Sequence, residues 1–345
     1  MPSTTRRPTG VPTSFTSPWE HGPGSNAIPA RLQPEGRCDT QLRAMAADVE
    51  GFPVRGESTP GEAITQEEHA RLWDVEVEGG YPANHFAFRH VLTALAEEGA
   101  STLMEVGVGG GRALPIFSGA GLEVHGVDND PGMVERSRRV LADLGLPTER
   151  VTWGDVEDSV SLAGVRRGGG FDAVLAMGVL PHVTHDLVAV ENMFTLLKPG
   201  GSVFVECRNK LFSLVTFNRF TYDFIMDDLL HDVSPAMRSA TSEFLGEHVD
   251  VDMPPRPTGH EARYHNPLTV GEVFEAAGFE DVVIKPFDYH ATIPRFEKLL
   301  GAEFRSESIA LENEPSGWRG LFLCSAFLVQ ARRPEDFSWK VASGE

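Results

Sequence analysis

The sequence predicts an α/β fold, a parallel sheet with helices on both faces, and three observations carry that expectation. Between residues 102 and 206, short apolar runs of strand type alternate with segments of helical periodicity. Residues 103–112, LMEVGVGGGR, run an apolar strand into Gly107, Gly109, Gly110 and Gly111 before side chains resume at a spacing that can begin a helix. Hydrophobic residues make up 41% of the 345, which suits a globular chain with a sizeable core.

Taken in order, residues 1–36 are rich in Pro, Ser, Thr and Gly without apolar periodicity, the composition of a disordered tail. Residues 37–83 read as a helical extension, with Leu42, Met45 and Val49 on one short helix and Leu72, Trp73 and Val75 anchoring another over 66–77. The main domain is expected over 84–345. It opens with a helix over 83–98, where Phe86, Phe88, Val91, Leu92 and Leu95 fall close to one face. Strands follow at 102–106, 122–127, 151–153, 171–176 and 202–206, with helices from about 112, over 131–144 behind a proline, and over 185–197. Residues 208–266 break the alternation with Phe217, Phe220, Phe224 and Met226 on helical spacing, then an irregular stretch. A helix over 269–278 and strands at 281–286 and 321–329 complete the chain. Ligands in such sheets bind beyond the carboxyl ends of the strands, where the glycine loop lies.

Two details of that loop select its ligand. Counted from Gly107, a dinucleotide fingerprint needs a third small residue at 112, where helix and strand pack closely, and the chain has Arg112. Glu105, at the strand end, would oppose a pyrophosphate but suit a cationic ligand. S-adenosylmethionine (SAM), with its sulfonium and ammonium groups, fits better. Here the chain resembles the class I SAM-dependent methyltransferases, whose first motif reads acid-x-Gly-x-Gly-x-Gly, matched by Glu105, Gly107, Gly109 and Gly111. The resemblance covers residues 84–207 closely and 269–286 loosely. It implies a doubly wound, Rossmann-like sheet of seven strands, the last antiparallel, with a helical insertion after strand 5.

Asp128 lies about twenty residues past the loop, where an acid binds ribose hydroxyls; the alternative, a helix N-cap, is better placed at Asp130. The resemblance assigns Asp128 to the adenosine ribose and Asp155, with Val156 beside it, to adenine. Asn129 and Met177 complete the expected cofactor-binding set. Residues 171–183, FDAVLAMGVLPHV, resemble the family's fourth motif, whose loop faces both SAM and the acceptor. His182 there is either a general base or a packing histidine. His185 forms H-x-x-H with it, too thin for a metal site without carboxylates, so no metal is expected.

Glu206, Arg208 and Asn209 leave strand 5 at the ligand end of the sheet, as acceptor-site residues or as an ordinary loop. Glu206 and His182 are the candidate catalytic bases; Arg208, Asn209 and His265 are candidate substrate contacts. The insertion 208–266 is read as a lid over the acceptor, with a homodimer interface as the alternative.

Composition narrows the partners. Fifty acidic residues against 30 basic give a formal charge of -20, which repels nucleic acid and anionic membranes. The Asn/Asp-Pro-Pro-Tyr motif of enzymes acting on DNA bases or protein amides is absent after the fourth strand. Cys38, Cys207 and Cys324 are scattered, and no apolar run has membrane-spanning length, so a cytoplasmic transferase is expected. The expected activity is N- or O-methylation of a small-molecule metabolite. A SAM-binding partner or regulatory subunit without catalysis is the alternative, and Arg112 and Glu105 argue against a dehydrogenase.

Overall fold

In the computed structural model, one sheet has the strand order β3-β2-β1-β4-β5-β7-β6. The strands are β1 (Thr102–Val106), β2 (Glu123–Asp128), β3 (Val151–Trp153), β4 (Phe171–Ala176), β5 (Leu197–Arg208), β6 (Glu280–Tyr289) and β7 (Cys324–Arg332). The structure describes residues 84–166, 169–249, 262–313 and 317–336. The expected tail and helical extension lie outside the described residues. Strands β1 to β5 pair in parallel, and β7 runs antiparallel between β5 and β6. The order reverses between β1 and β4, which opens a crevice at their carboxyl ends.

Both faces of the sheet are buried, so its central strands are apolar throughout instead of alternating. On one face Leu103, Ala173, Leu175 and Phe204 pack under helix α1 (His85–Glu98), α2 (Leu114–Gly119) and α3 (Pro131–Asp143). On the other, Met104, Val106, Val174, Val203 and Val205 pack under α4 (Asp186–Leu196). Helix α1 buries Phe88, Val91, Leu92 and Leu95, the expected stripe. It stops at Gly99, whose φ of 67° lets its N–H reach back to the last carbonyls. Helix α3 starts on Pro131 with the Asp130 carboxylate accepting from Gly132 N at 2.7 Å, so the cap is Asp130 and Asp128 is left for another role.

Two strand starts moved by three residues or more. Strand β5 begins at Leu197, well before the expected 202, because the Lys-Pro-Gly-Gly turn is drawn into the sheet: Gly201 sits so close to β4 that a Cβ there would be 2.8 Å from the Asp172 carbonyl. Strand β7 begins at Cys324 because residues Gly320–Leu323 form a helical turn packed on Tyr289.

Where it is described, the insertion is helical as expected, though broken. Helix α5 (Arg219–Asp223), capped by the Asn218 side chain, passes into a π-helical turn (Phe224–Leu229), and α6 (Pro235–His248) follows. Met226, Leu245 and Val249 give the insertion a small core of its own. The chain then reaches α7 (Gly271–Ala276) and β6, and α8 (Ala302–Asn313) precedes β7.

Candidate functional site

The glycine loop leaves β1 with Gly107, Gly109 and Gly111 at φ of 70°, 52° and 78°, a left-handed path that side chains resist. Gly107 is the most constrained, since a Cβ there would lie 2.3 Å from the Val179 side chain after β4. Four of the loop's N–H groups turn inward. Gly107 and Val108 donate to the Val127 carbonyl, Gly111 to the Val108 carbonyl, and Gly109 to the Asp128 carboxylate at 2.8 Å. A phosphate cradle needs such donors facing the ligand. This loop is built instead for close backbone approach.

Above it stands Glu105, 4% exposed, with Oε2 buried and without a hydrogen-bond partner. Burial, and secondarily the nearby Asp128 charge, push its carboxyl up to about 8. A buried carboxyl that the fold leaves incomplete fits a cationic group, as the ammonium of SAM requires. Asp128, at the end of β2, accepts one backbone N–H on each oxygen, from Gly109 and from Asp130 at 2.9 Å. Each oxygen keeps acceptor capacity toward the crevice, in keeping with a pair of ribose hydroxyls. Asp155, beyond β3, closes an Asx turn onto Glu157 N through Oδ1, and Val156 is buried behind it. Asn129 is exposed beside Asp128, and its carbonyl accepts from Trp153 Nε1 at 3.0 Å, tying the ends of β2 and β3 together.

A second group of residues gathers at the end of β5. The register Glu105–Leu175–Phe204 places Glu206, two residues past Phe204, on the same face as Glu105. Met177 packs at the edge of that face and Gly178 donates its N–H to Glu206. Burial raises the Glu206 carboxyl to about 7; Asp288 adds to the rise, while Arg208, the Gly178 N–H and Arg112 oppose it. Arg208 also hydrogen-bonds the Tyr264 phenol.

The other expected contacts fall elsewhere. Asn209 is fully buried: Nδ2 donates to the carbonyls of Leu321 and Cys324, and Oδ1 accepts from Leu211 N. Its amide is engaged in holding the fold, a physical reason to drop it from the acceptor contacts. His265 is 8% exposed with Nε2 3.3 Å from Asp186 Oδ2. His182 is exposed on a short turn (Leu180–His182) beyond β4. Sequence reasoning missed Gly178, Tyr264 and Asp288. The only hint was Tyr264 itself, an aromatic between Arg263 and His265 in an otherwise irregular stretch. Among the described residues, no group of three or more His, Cys, Asp or Glu could hold a metal, and no helix is long and apolar enough to cross a membrane.

The chain also has matches among known proteins. Residues 104–203 match a family model described as a methyltransferase domain. The ubiquinone biosynthesis O-methyltransferase of Xanthomonas axonopodis pv. citri is 30% identical over 120 residues, 34% of this chain and 48% of that protein. The chain thus spans about half the length of that relative. The protein of the same description from Burkholderia thailandensis is 26% identical over 194 residues, 56% of this chain and 71% of its own. Among solved structures, a SAM-dependent methyltransferase from Archaeoglobus fulgidus is 14% identical with a TM-score of 0.41, covering 84% of this chain and 99% of that one.

Proposed function

We propose that this chain transfers a methyl group from SAM to a hydroxyl or amine of a small molecule, a reading supported by the match of residues 104–203 to a methyltransferase-domain model. The observation that carries the reading is Glu105, a buried carboxyl with an unpartnered oxygen beside a glycine loop in which the N–H groups of Gly107, Val108, Gly109 and Gly111 are already bonded. Glu105 would take the ammonium of SAM, Asp128 the ribose hydroxyls, and Asp155 with Val156 the adenine, while Asn129 and Met177 flank the ligand. When bound, SAM supplies an electrophilic methyl group on sulfur.

The residues at the end of β5 would do the rest. Glu206 would accept the proton of an acceptor hydroxyl, and a carboxyl near 7 is well matched to that task at neutral pH. Arg208 and Arg112 would hold the ionised carboxylate in place, and Gly178 N–H fixes one of its oxygens. His182, exposed at the rim, would serve only as a relay to water. Alignment of acceptor, methyl and sulfur provides much of the acceleration, since oriented reactants reach effective molarities of about 10⁵–10⁸ M. The insertion would cover the acceptor, which we take to be a small molecule and not nucleic acid, given the charge of -20. Glu206 favours an enzyme over a regulatory SAM-binding subunit, which would have no use for a base there.

The test is titration calorimetry with SAM and with NAD, followed by incubation with SAM and a panel of phenols and amines that includes catechol. SAM should bind, NAD should not, and S-adenosylhomocysteine should appear together with a methylated acceptor. Absence of SAM binding would remove the reading.

A further inference from the structure

The short segment 263–265 carries an arrangement that neither the fold nor the proposed chemistry requires by itself. It lies along the last residues of β5, beyond the end of β4, where it takes β4's place beside the sheet. His265 N donates to the Arg208 carbonyl at 2.8 Å and Lys210 N to the His265 carbonyl at 2.9 Å, so that Asn209 and His265 form a parallel bridge. Arg263 N donates to the Pro181 carbonyl at 2.7 Å, which ties the same strap to the loop after β4.

Strand alternation then divides the three side chains between two sides. Behind the strap, Arg263 and His265 both turn to Asp186, the first residue of α4: Arg263 as an ion pair and hydrogen bond, His265 at 3.3 Å. Burial draws the Asp186 carboxyl upward, but the contacts with His265 and Arg263 outweigh it and hold it below the usual carboxylate range. In front, Tyr264 hydrogen-bonds Arg208, two residues from Glu206, and its ring lies 5.5 Å from that of Phe220 in the insertion. A single tyrosine thus touches the end of β5, the insertion and the neighbourhood of the proposed base.

We propose that residues 263–265 clamp an aromatic acceptor: Tyr264 contacts its ring as a specificity-determining residue, and Asp186, behind the strap, is the positioning residue that holds Tyr264 there through Arg263 and His265. The acceptor is aromatic because Tyr264, Phe220 and Met177 offer rings and a thioether, groups that favour a flat apolar partner, while Arg208 and Glu206 meet its polar substituents. This deepens the proposed methyl transfer and rests on it for the identity of the reacting partner, though not for the clamp itself.

Two measurements separate the parts. Hydrogen exchange on the intact protein follows the His265 and Lys210 amides, with the α4 amides as a folding control. Asp186→Asn should speed exchange at those two positions by about tenfold or more while α4 keeps its protection, and Arg263→Gln should do the same to a lesser extent. Unchanged exchange at His265 and Lys210 in both variants would overturn the clamp. Steady-state kinetics with catechol as acceptor read Tyr264. Tyr264→Ala should raise the catechol KM by about three- to tenfold with kcat changed far less; Tyr264→Phe should recover most of that loss, and Asp186→Asn should repeat the KM effect. A Tyr264→Ala enzyme with wild-type KM would overturn the specificity role. Wild-type protein that neither binds SAM nor methylates catechol would sink the reading of the site, whereas the exchange result would still decide the strap.

Discussion

A carboxyl that the fold leaves without a partner has a measurable signature. Glu105 lies near 8 and is therefore largely protonated at neutral pH, yet an ammonium group needs it ionised. SAM binding at pH 7 should accordingly release close to one proton, seen as a dependence of the calorimetric enthalpy on the ionisation enthalpy of the buffer. Glu105→Gln should abolish that dependence, weaken SAM by about 1.5–3 kcal/mol and leave the protein no less stable. Glu206 gives a kinetic counterpart. Its carboxyl near 7 should place the acid limb of kcat/KM for a hydroxyl acceptor at about that pH, with activity rising as the carboxylate forms. Glu206→Gln should lower kcat by about 10²–10⁴-fold and erase the limb. Both acids were legible in the sequence as carboxylates at the ends of strands. Tyr264 was not, because only the fold brings a residue 56 positions downstream against Arg208, beside Glu206 on β5, and no local pattern announces it.

At the scale of elements, the strands of the central sheet were readable because they are buried on both sides and written as continuous apolar runs. The ends of β5 and β7 were not. One depends on a glycine turn admitted into the sheet by close backbone contact, the other on an apolar triplet taken up by a helical turn. The insertion was legible as helical and illegible in its path, since its aromatic residues serve two different ends. Phe224 is 5% exposed, whereas Phe220 reaches out to Tyr264. Phe224→Ala should cost about 3–5 kcal/mol or unfold the insertion. Phe220→Ala should leave the melting temperature nearly unchanged, spare SAM affinity and raise the acceptor KM. Equal melting losses for the two would show that Phe220 too is core. Light scattering on the Phe220 variant separates a lid from a homodimer interface, which would instead lose mass.

The whole molecule balances carboxyls of opposite tendency. Asp172, at the start of β4, receives Lys198 at 2.8 Å and the N–H and hydroxyl groups of Ser101 and Thr102. Burial works against its charge, but these bonds prevail and hold the carboxyl well below its usual range. Its stabilisation is present above the unfolded value near 4 and is lost as pH falls through the lower folded one. Glu105 and Glu206 act in the other direction: each binds its proton more tightly when folded, so stability declines as pH rises from about 4.5 through 7 to 8. The ligand-free protein should therefore be most stable near pH 5, and SAM should flatten the alkaline decline. Asp172→Asn should cost about 1–3 kcal/mol at pH 7, discounted for its partial exposure, and steepen nothing above pH 5. Melting temperatures across pH check both.

The inward-turned N–H groups of residues 107, 108, 109 and 111 have a consequence for life in a crowded nucleotide pool. ATP and NAD carry the same adenosine half as SAM and could enter by the same ribose and adenine contacts. What they bring next is a polyphosphate, which would find those four backbone donors already committed and a buried acid in its path. A loop that had left those donors free would hold the commoner nucleotides as inhibitors. On the proposed reading, the crevice sorts its adenosine ligands by the sign of the charge they carry, before the acceptor ever arrives.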